Sequence, residues 1–462
     1  MSLQPLLDRI SDKKVIILGF GKEGVSTYRF IRRHFPKMNL VIADRNEGLY
    51  TDDIDDKHVK FVKGAKYDRD LNAYDLIFKS PGINFNQIDY YIESERITSQ
   101  AGLFLEFFGG QTVGVTGTKG KSTTSSLIYH IMKDVSDDCF LVGNIGTPFF
   151  DVVEKITPQS IVVAELSAHQ LEFVHNSPRY AVLLNIYQEH LDHFNSFNNY
   201  QIAKMNIAKY QGPGDFLVYN GDDLHIPALV KGHCLDSDLC VFGTKVHNGS
   251  HVRCSSHIVR FMDDGEVTDE YDLIDYKNLP GTHNYFNIMA AIAICRRLGA
   301  RHGSIMDSLQ TFKGLPHRIE FVGSFAGVEF YNDSISTIPE ATIAACRALR
   351  DVDTLIIGGF DRGIDYLPLV NFLKDNVIEN LIFTGPAGKR VLQLCIDNKI
   401  ALKNVLETDD FEEMTDFAFK MTPKGGTVLL SPAAASYNQF RNFEERGDFF
   451  KECIQKSYKK IK

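Results

Sequence analysis

The chain has 462 residues, 44% apolar and 24% charged, with a formal net charge of −9. These values describe a globular protein with enough chain for about three domains. The acidic balance argues against a nucleic-acid binder, because phosphate-backbone binding needs a basic face. No apolar run reaches the length of a membrane span, and the opening MSLQPLLDRISDKK has no apolar signal-peptide core. The eight cysteines form no CxxC pair. That predicts reduced, mostly buried thiols in a cytoplasmic protein, not a disulfide framework or a zinc site. The basic tail Lys451–Lys462 reads as a solvated helix end.

In chain order, short β-branched runs alternate with helical segments, the pattern of parallel α/β sheets. The first group is VIILG (Val15–Gly19), LVIAD (Leu40–Asp44) and DLIFKS (Asp75–Ser80). The second is TVGVTG (Thr112–Gly117), SIVVAEL (Ser160–Leu166), AVLLN (Ala181–Asn185) and FLVYN (Phe216–Asn220). Between about Leu235 and Lys277 the pattern changes to short polar strands, HIVRF and EVTDEYDLI, expected to form an antiparallel edge or hairpin on the middle domain. A third group follows GLPHR: VEFYND (Val328–Asp333), TLIIGG (Thr354–Gly359), NLIFTG (Asn380–Gly385) and TVLLS (Thr427–Ser431). The expected fold class is therefore α/β with mostly parallel sheets in three domains, 1–103, 104–314 and 315–462.

Several strand ends carry chemistry. GFGKEG (Gly19–Gly24) follows the first strand and opens a helix, and Asp44 ends the second strand. Glycines there let the backbone approach a diphosphate, and an acid takes ribose hydroxyls. By itself the signal is weak: a nicotinamide dinucleotide, a UDP-sugar or plain helix–sheet packing all produce it.

The stretch GVTGTKGKSTTSSLIYHIM (Gly114–Met132) is stronger. A strand ends in a glycine turn that runs directly into a helix, so free N–H groups and the helix dipole favour a phosphate. Gly117, Thr118, Lys119, Gly120, Lys121, Ser122 and Thr123 form the turn, with Lys121 placed for a terminal phosphate and Ser122 for Mg²⁺. The spacing is not the complete Walker pattern, since Val115 stands where the leading glycine belongs.

AELSAHQLE (Ala164–Glu172) puts Glu165 at a strand's C-terminal end, the edge that faces the ligand crevice in open parallel sheets. A carboxylate there suits Mg²⁺ on a nucleotide phosphate. NIYQEHLDHF (Asn185–Phe194) places His190 and His193 just past another strand end. A zinc site would need more ligands at fixed spacing. The following helix carries Lys204 and Lys209, which residue pattern alone reads as surface lysines. LPGTHNYFN offers His283, Asn284 and Asn287, the two asparagines at i, i+3. In the last group NDS (Asn332–Ser334), GGFDRG (Gly358–Gly363) and SPAAAS (Ser431–Ser436) each end a strand, and Arg362 is placed to fork a carboxylate.

Taken together these segments resemble the Mur ligases, most closely their glutamate-adding branch. The resemblance spans nearly the whole chain in order: TGTKGKST, NIG (Asn144–Gly146), ELSAHQLE, the His190 loop, Lys204, GTHNYFN, GLPHR, NDS and SPAAAS…QFRNFEERG. It implies a Rossmann-like UDP-binding domain, a central P-loop ATPase-like domain and a Rossmann-like C-terminal domain that carries the amino-acid site. The implied reaction is ATP-driven amide formation between UDP-N-acetylmuramoyl-L-alanine and glutamate, most simply D-glutamate, through an acyl phosphate in peptidoglycan precursor synthesis. The implied cofactors are two Mg²⁺ ions, with Mn²⁺ as a substitute.

By this resemblance Lys121, Glu165, His190 and Lys204 carry catalysis. Ser122 and Glu165 ligate one metal; His190 and Lys204, the latter as its carbamate, ligate the second. Asn284, Asn287, Arg318 and Asp333 match ATP-contacting positions. Asn144, Ser167, Gln170 and His190 match positions near the muramoyl part and diphosphate. Lys22, Glu23, Asp44, Arg45 and Gly82 fall where the family meets UDP, and Thr337, Arg362, Ser436 and Phe443 where it meets glutamate. The partners implied are small molecules alone, with no nucleic acid or membrane, and the expected state is a cytoplasmic monomer.

Two positions depart from the family. Lysine usually follows NDS, and Ile335 stands there; Arg362 replaces a lysine of some members. The loss at Ile335 keeps open an L-glutamate-adding enzyme of the same family. Two rivals are an NAD-dependent oxidoreductase, which leaves the Lys121 turn unexplained, and a folate polyglutamate-type ligase. The latter would lack a UDP-type domain before the P-loop.

Overall fold

A computed structural model describes residues 2–51, 53–85, 88, 90–245, 250–274, 276, 278–349 and 351–462. The chain forms two compact units, Met1–Ile274 with Tyr285–Leu309 and Asp275–Asn284 with Gln310–Lys462.

The first unit contains two sheets. One is built from β1 (Val15–Leu18), β2 (Leu40–Asp44), β3 (Val59–Lys63), β4 (Leu76–Lys79) and β5 (Ile97–Thr98), in the order β3-β2-β1-β4-β5, all parallel. Val15–Leu18 and Leu76–Phe78 are buried throughout, as continuous apolar strands covered on both faces must be, and the charged Lys79 that ends β4 is buried with them. The chain reverses direction across the sheet at β1 and β4, so the loops after both strands open on one crevice.

The second sheet contains β6 (Thr112–Thr116), β7 (Cys139–Gly143), β8 (Ile161–Glu165), β9 (Tyr180–Leu183), β10 (Phe216–Asn220), β11 (Asp238–Gly243), β12 (Ser250–Ser255), β13 (Ile258–Asp263) and β14 (Glu266–Asp272). Its order is β14-β13-β12-β11-β10-β9-β6-β8-β7. The chain passes from β6 to β7 and β8 on one side, then to β9 on the other. That switch opens a crevice at the C-terminal end of β6. The antiparallel edge expected between 235 and 277 is realised by β13 and β14, whereas β11 and β12 extend the parallel array.

A single hydrophobic cluster runs from Leu6 and Phe30 through Phe104, Phe108, Phe149 and Phe150 to Val230. Phe30 and Phe150 approach to 4.5 Å between ring centroids, and Phe104 and Phe149 to 4.9 Å. The helix Gln100–Phe108, capped by Ser99, lies within this shared core, so a boundary drawn at residue 103 falls inside it.

The second unit holds β15 (Glu320–Phe325), β16 (Val328–Asn332), β17 (Thr354–Gly358), β18 (Asn380–Thr384), β19 (Asn404–Glu407) and β20 (Thr427–Leu430), in the order β15-β16-β20-β17-β18-β19. Only the β15–β16 pair is antiparallel. The C-terminal ends of β16, β20 and β17 therefore lie side by side at one edge. The tail is the last part of the helix Phe443–Ile461. All eight cysteines are free thiols, and only Cys234 is exposed. Among the described residues no helix is long and apolar enough to cross a membrane.

Candidate active site

The turn after β6 opens the helix Lys121–Lys133 without a side-chain cap, which leaves its first-turn amides for another acceptor. Gly120 has φ +86°, and a Cβ on it would stand 2.3 Å from Asn287 Oδ1. Only glycine meets both conditions. Asn185 holds the Lys119 peptide at both ends: its Oδ1 accepts from Lys119 N at 2.8 Å, and its Nδ2 donates to Lys119 O at 2.9 Å. The Thr118 hydroxyl lies 3.0 Å from Tyr200 Oη and accepts from Tyr187 N at 2.9 Å. The turn is thus fixed before any ligand arrives.

Two lysines converge on this turn. Lys121 Nζ donates to Gly117 O at 2.9 Å and Thr118 O at 3.0 Å. Lys204, on the helix Phe197–Met205, is 1% exposed and donates from Nζ to the same Gly117 O at 2.8 Å. Burial first, and then the Lys121 charge, push Lys204 well below the ordinary lysine range. The pattern-based expectation of a surface lysine is thereby corrected: the helix turns Lys204 inward. Glu165 is fully buried at the end of β8. Its Oε1 accepts from Asn144 Nδ2 at 2.6 Å, while Oε2 has no hydrogen-bond partner among the described residues. An unmatched buried carboxylate oxygen is costly and asks for a cation.

His190 sits in the left-handed region at φ +56°, with its side chain half exposed. Its ring packs on His169, centroids 4.8 Å apart. Burial, then the charges of His193, His190 and Lys79, hold His169 down to about 4. Lys119 pairs with Glu189, the neighbour of His190. Asn287 is buried, and its Oδ1 accepts from Thr124 Oγ1 at 3.2 Å.

At the ends of β1 and β4 lies a cavity of about 500 Å³ lined by Lys22, Glu23, Asp44, Arg45, Gly82 and Asn144, among others. Gly19, at φ +91°, admits Ser80 so closely that a Cβ would stand 2.8 Å from Ser80 Cβ. Both Asp44 oxygens already accept backbone amides, Oδ2 from Phe20 N at 2.7 Å and Oδ1 from Asn46 N at 2.8 Å. Lys22 Nζ donates to Gly146 O at 2.7 Å, and Gln170 Nε2 to Glu23 Oε1 at 2.6 Å. Ser167 caps the short helix Ala168–Leu171 in a reciprocal box with Gln170. Ser167 and Gln170 are not among the cavity walls, whereas Tyr67 and the run Ser80–Asn84 are. Sequence reasoning had passed over that run, apart from Gly82. The available signal was a second strand end, DLIFKS-PG, beside the first.

In the second unit Asp333 is buried at the end of β16. It accepts from Ser431 Oγ at 2.7 Å and from Ile319 N at 3.2 Å, and burial raises it to about 6. Arg362, exposed, donates to Thr337 O at 2.8 Å. Ser436 is buried, and Phe443 opens the last helix with its ring edge-on to His317 at 6.0 Å. Arg318 is exposed, and Asn284 Nδ2 donates to Pro280 O at 2.7 Å. A residue missed from sequence is Arg446, buried behind these loops. Its guanidinium donates to Ser334 Oγ and O and to the carbonyls of Ala434 and Ala435, at 2.7–3.2 Å.

The Mur ligase middle domain matches residues 115–295, and the Mur ligase MurD-like N-terminal domain matches residues 13–93. The chain is 33% identical over 459 residues to the UDP-N-acetylmuramoylalanine--D-glutamate ligase of Pelotomaculum thermopropionicum, covering 97% of this chain and 99% of that one. The chain belongs to the Mur ligase family. A relative of the same description from Clostridium kluyveri is 35% identical, covering 96% and 97% of the two chains. Among solved structures, this Mur ligase has the fold of the MurF ligase from Thermotoga maritima in complex with ADP. The TM-score is 0.58 at 19% identity, over 99% and 98% of the chains. The UDP-N-acetylmuramate-alanine ligase MurC from the same organism gives 0.55 at 18%, over 97% and 100%. The match of residues 13–93 to a MurD-like N-terminal domain and the full-length likeness to D-glutamate ligases speak against the oxidoreductase and folate-ligase readings. The first-sheet glycines belong to a ligase.

Proposed function

We propose that this Mur ligase joins D-glutamate to UDP-N-acetylmuramoyl-L-alanine at the expense of ATP, as a cytoplasmic monomer that acts on small molecules. The observation that carries the site assignment is Glu165. Among the described residues its buried Oε2 has no hydrogen-bond partner beside the Lys121 turn, where the family implies Mg²⁺ on a nucleotide phosphate. Among the described residues no three His, Cys, Asp or Glu side chains are grouped to hold a metal by themselves. Phosphate oxygens and water complete such a shell, as Mg²⁺ prefers.

In this reading Gly117, Thr118, Lys119, Gly120 and Thr123 cradle the phosphates, and Lys121 holds the terminal ones. Asn284, Asn287, Arg318 and Asp333 meet the rest of the nucleotide. Ser122 and Glu165 hold one Mg²⁺; His190 and Lys204 hold the second. The buried Lys204 amine, biased toward its neutral form, adds to CO₂ and releases a proton. The product is a carbamate that ligates as a carboxylate does. When bound, the metals offset the charge between carboxylate and triphosphate.

Lys22, Glu23, Asp44, Arg45 and Gly82 hold the UDP end, while Asn144, Ser167, Gln170 and His190 guide the muramoyl and diphosphate parts. A carboxylate oxygen of the alanine residue bonds to the γ-phosphorus, the bond to the bridging oxygen breaks, and ADP leaves. Thr337, Arg362, Ser436 and Phe443 place glutamate. Its α-amino nitrogen bonds to the acyl carbon, the carbon–oxygen bond to phosphate breaks, and the amine loses a proton.

The test is phosphate release from ATP with UDP-N-acetylmuramoyl-L-alanine and either glutamate enantiomer. Release with D-glutamate alone is expected. Release with L-glutamate alone would overturn the choice of enantiomer and assign the change to the Ile335 loop. Release with neither would overturn the substrate.

A further inference from the structure

The strand end of β4 carries a charge that the reaction does not use. Lys79 has a side chain 3% exposed, and its Nζ lies 3.1 Å from Glu172 Oε2. The contact is that of an ion pair, and among the described residues Nζ has no aligned hydrogen-bond partner. The ammonium sits against two rings, 5.3 Å from the centroid of Phe173 and 5.9 Å from that of Phe85. Glu172 Oε2 also meets His193 Nε2 at 3.0 Å. His193 is three residues beyond His190, and its amide and that of Phe194 both donate to His190 O at 3.0 Å. Asn84, in the loop after β4, adds a second tie through its Nδ2 to Asp192 O at 3.3 Å.

His190 needs such support. A non-glycine residue at φ +56° is in a sparsely populated region and persists only where its surroundings over-determine it. The neighbours of His190 that do so include His193, whose ring is in turn 4.3 Å from that of His169. Glu172 is held ionised below the ordinary carboxylate range: the His193 hydrogen bond and the Lys79 charge outweigh a burial cost that acts the other way.

We propose that Lys79 and Glu172 are positioning residues, a buried strut from the end of β4 that holds the Leu191–Phe194 turn and through it the backbone of His190. The catalytic part of this inference rests on the assignment of His190 to the metal–substrate site. The strut itself rests on geometry alone. It gives the UDP-binding sheet a direct hold on a loop of the ATP-binding sheet.

The experiment compares the full-length protein with Lys79→Met, Glu172→Gln and the double variant. The first readout is backbone hydrogen exchange without ligand. Exchange at residues 190–195 is expected to speed up at least about tenfold in either single variant, with exchange in β1 unchanged. The double variant should be no faster than the faster single one, because both act through one contact. The second readout is phosphate release against Mg²⁺ concentration, with UDP-N-acetylmuramoyl-L-alanine and D-glutamate. The Mg²⁺ needed for half-maximal rate should rise several-fold, with KM for ATP within twofold. Unchanged exchange at 190–195 in both variants, or acceleration spread equally over β1, would overturn the strut. Accelerated exchange with an unchanged Mg²⁺ requirement would uphold the strut and overturn the metal assignment of His190.

Discussion

Lys204 in the first unit and Arg446 in the second are both buried basic side chains, 1% and 2% exposed, in opposite circumstances. Arg446 spends its guanidinium on three carbonyls and a hydroxyl. Lys204 has one carbonyl, which it shares with Lys121. The carboxylates repeat the contrast. Asp333 has partners on both oxygens, whereas Glu165 leaves Oε2 unmatched. A buried charge whose hydrogen bonds are complete ties loops together. A buried charge left incomplete costs stability and is kept where a ligand completes it. On this view the edge behind β16 and β20 is a finished scaffold for surface contacts, and the crevice at β6 is finished only by nucleotide and metal.

Changes at the crevice should therefore remove turnover first, and changes at the scaffold should remove stability first. Lys121→Ala should lower ATP turnover by about a thousandfold, the upper range for losing one preorganised charge contact. A loss of only a few-fold in steady-state phosphate release would remove Lys121 from the phosphate site. Lys204→Ala should lower turnover by about a hundredfold, again on the scale of one such contact. Added short carboxylic acids should recover part of it by standing in for the carbamate. Full activity without them would take Lys204 out of the site.

Arg446→Met strands several buried carbonyls. It should cost about 3 kcal/mol in denaturant unfolding, in the range for breaking a buried charged network. An unchanged midpoint would contradict the scaffold assignment.

The last effect is in pH. Burial raises the folded Asp333 carboxyl from its ordinary value to about 6, so the unfolded chain ionises first. Its contribution to stability is lost as pH rises from about 4 to about 6, by up to about 3 kcal/mol. Asp333→Asn should flatten that part of the stability–pH curve, and an unchanged slope would refute the cause.

Much of the crevice was legible from sequence because its residues are contiguous. TGTKGKST is at once a strand end, a turn and a helix start, and Glu165 closes an unbroken apolar run. The strands that went unread were chiefly sheet edges, β3, β5, β7, β15 and β19; part-exposed faces weaken the apolar signal of β3, β15 and β19, and β5 is only two residues long. Lys204 misled because burial of a helix face depends on what packs against it. Only the family resemblance, not the residue pattern, turned it inward. Lys79, Glu172 and His193 are separated by 93 and 21 positions and share no local motif. Their meeting is a property of the fold. Arg446 lay in a motif that had been noticed, FEERG, but its burial needed the loops it grips.

The most direct test of the account is Glu165→Gln, with thermal unfolding and turnover measured on the same ligand-free preparation. The substitution keeps the shape and removes an incompletely matched buried charge. The account predicts a higher melting temperature together with turnover lowered by about a hundredfold, the scale for one electrostatic contact. A lower melting temperature with near-normal turnover would mean that Glu165 is ordinary scaffold, and would contradict the claim that unmet buried charge marks the site.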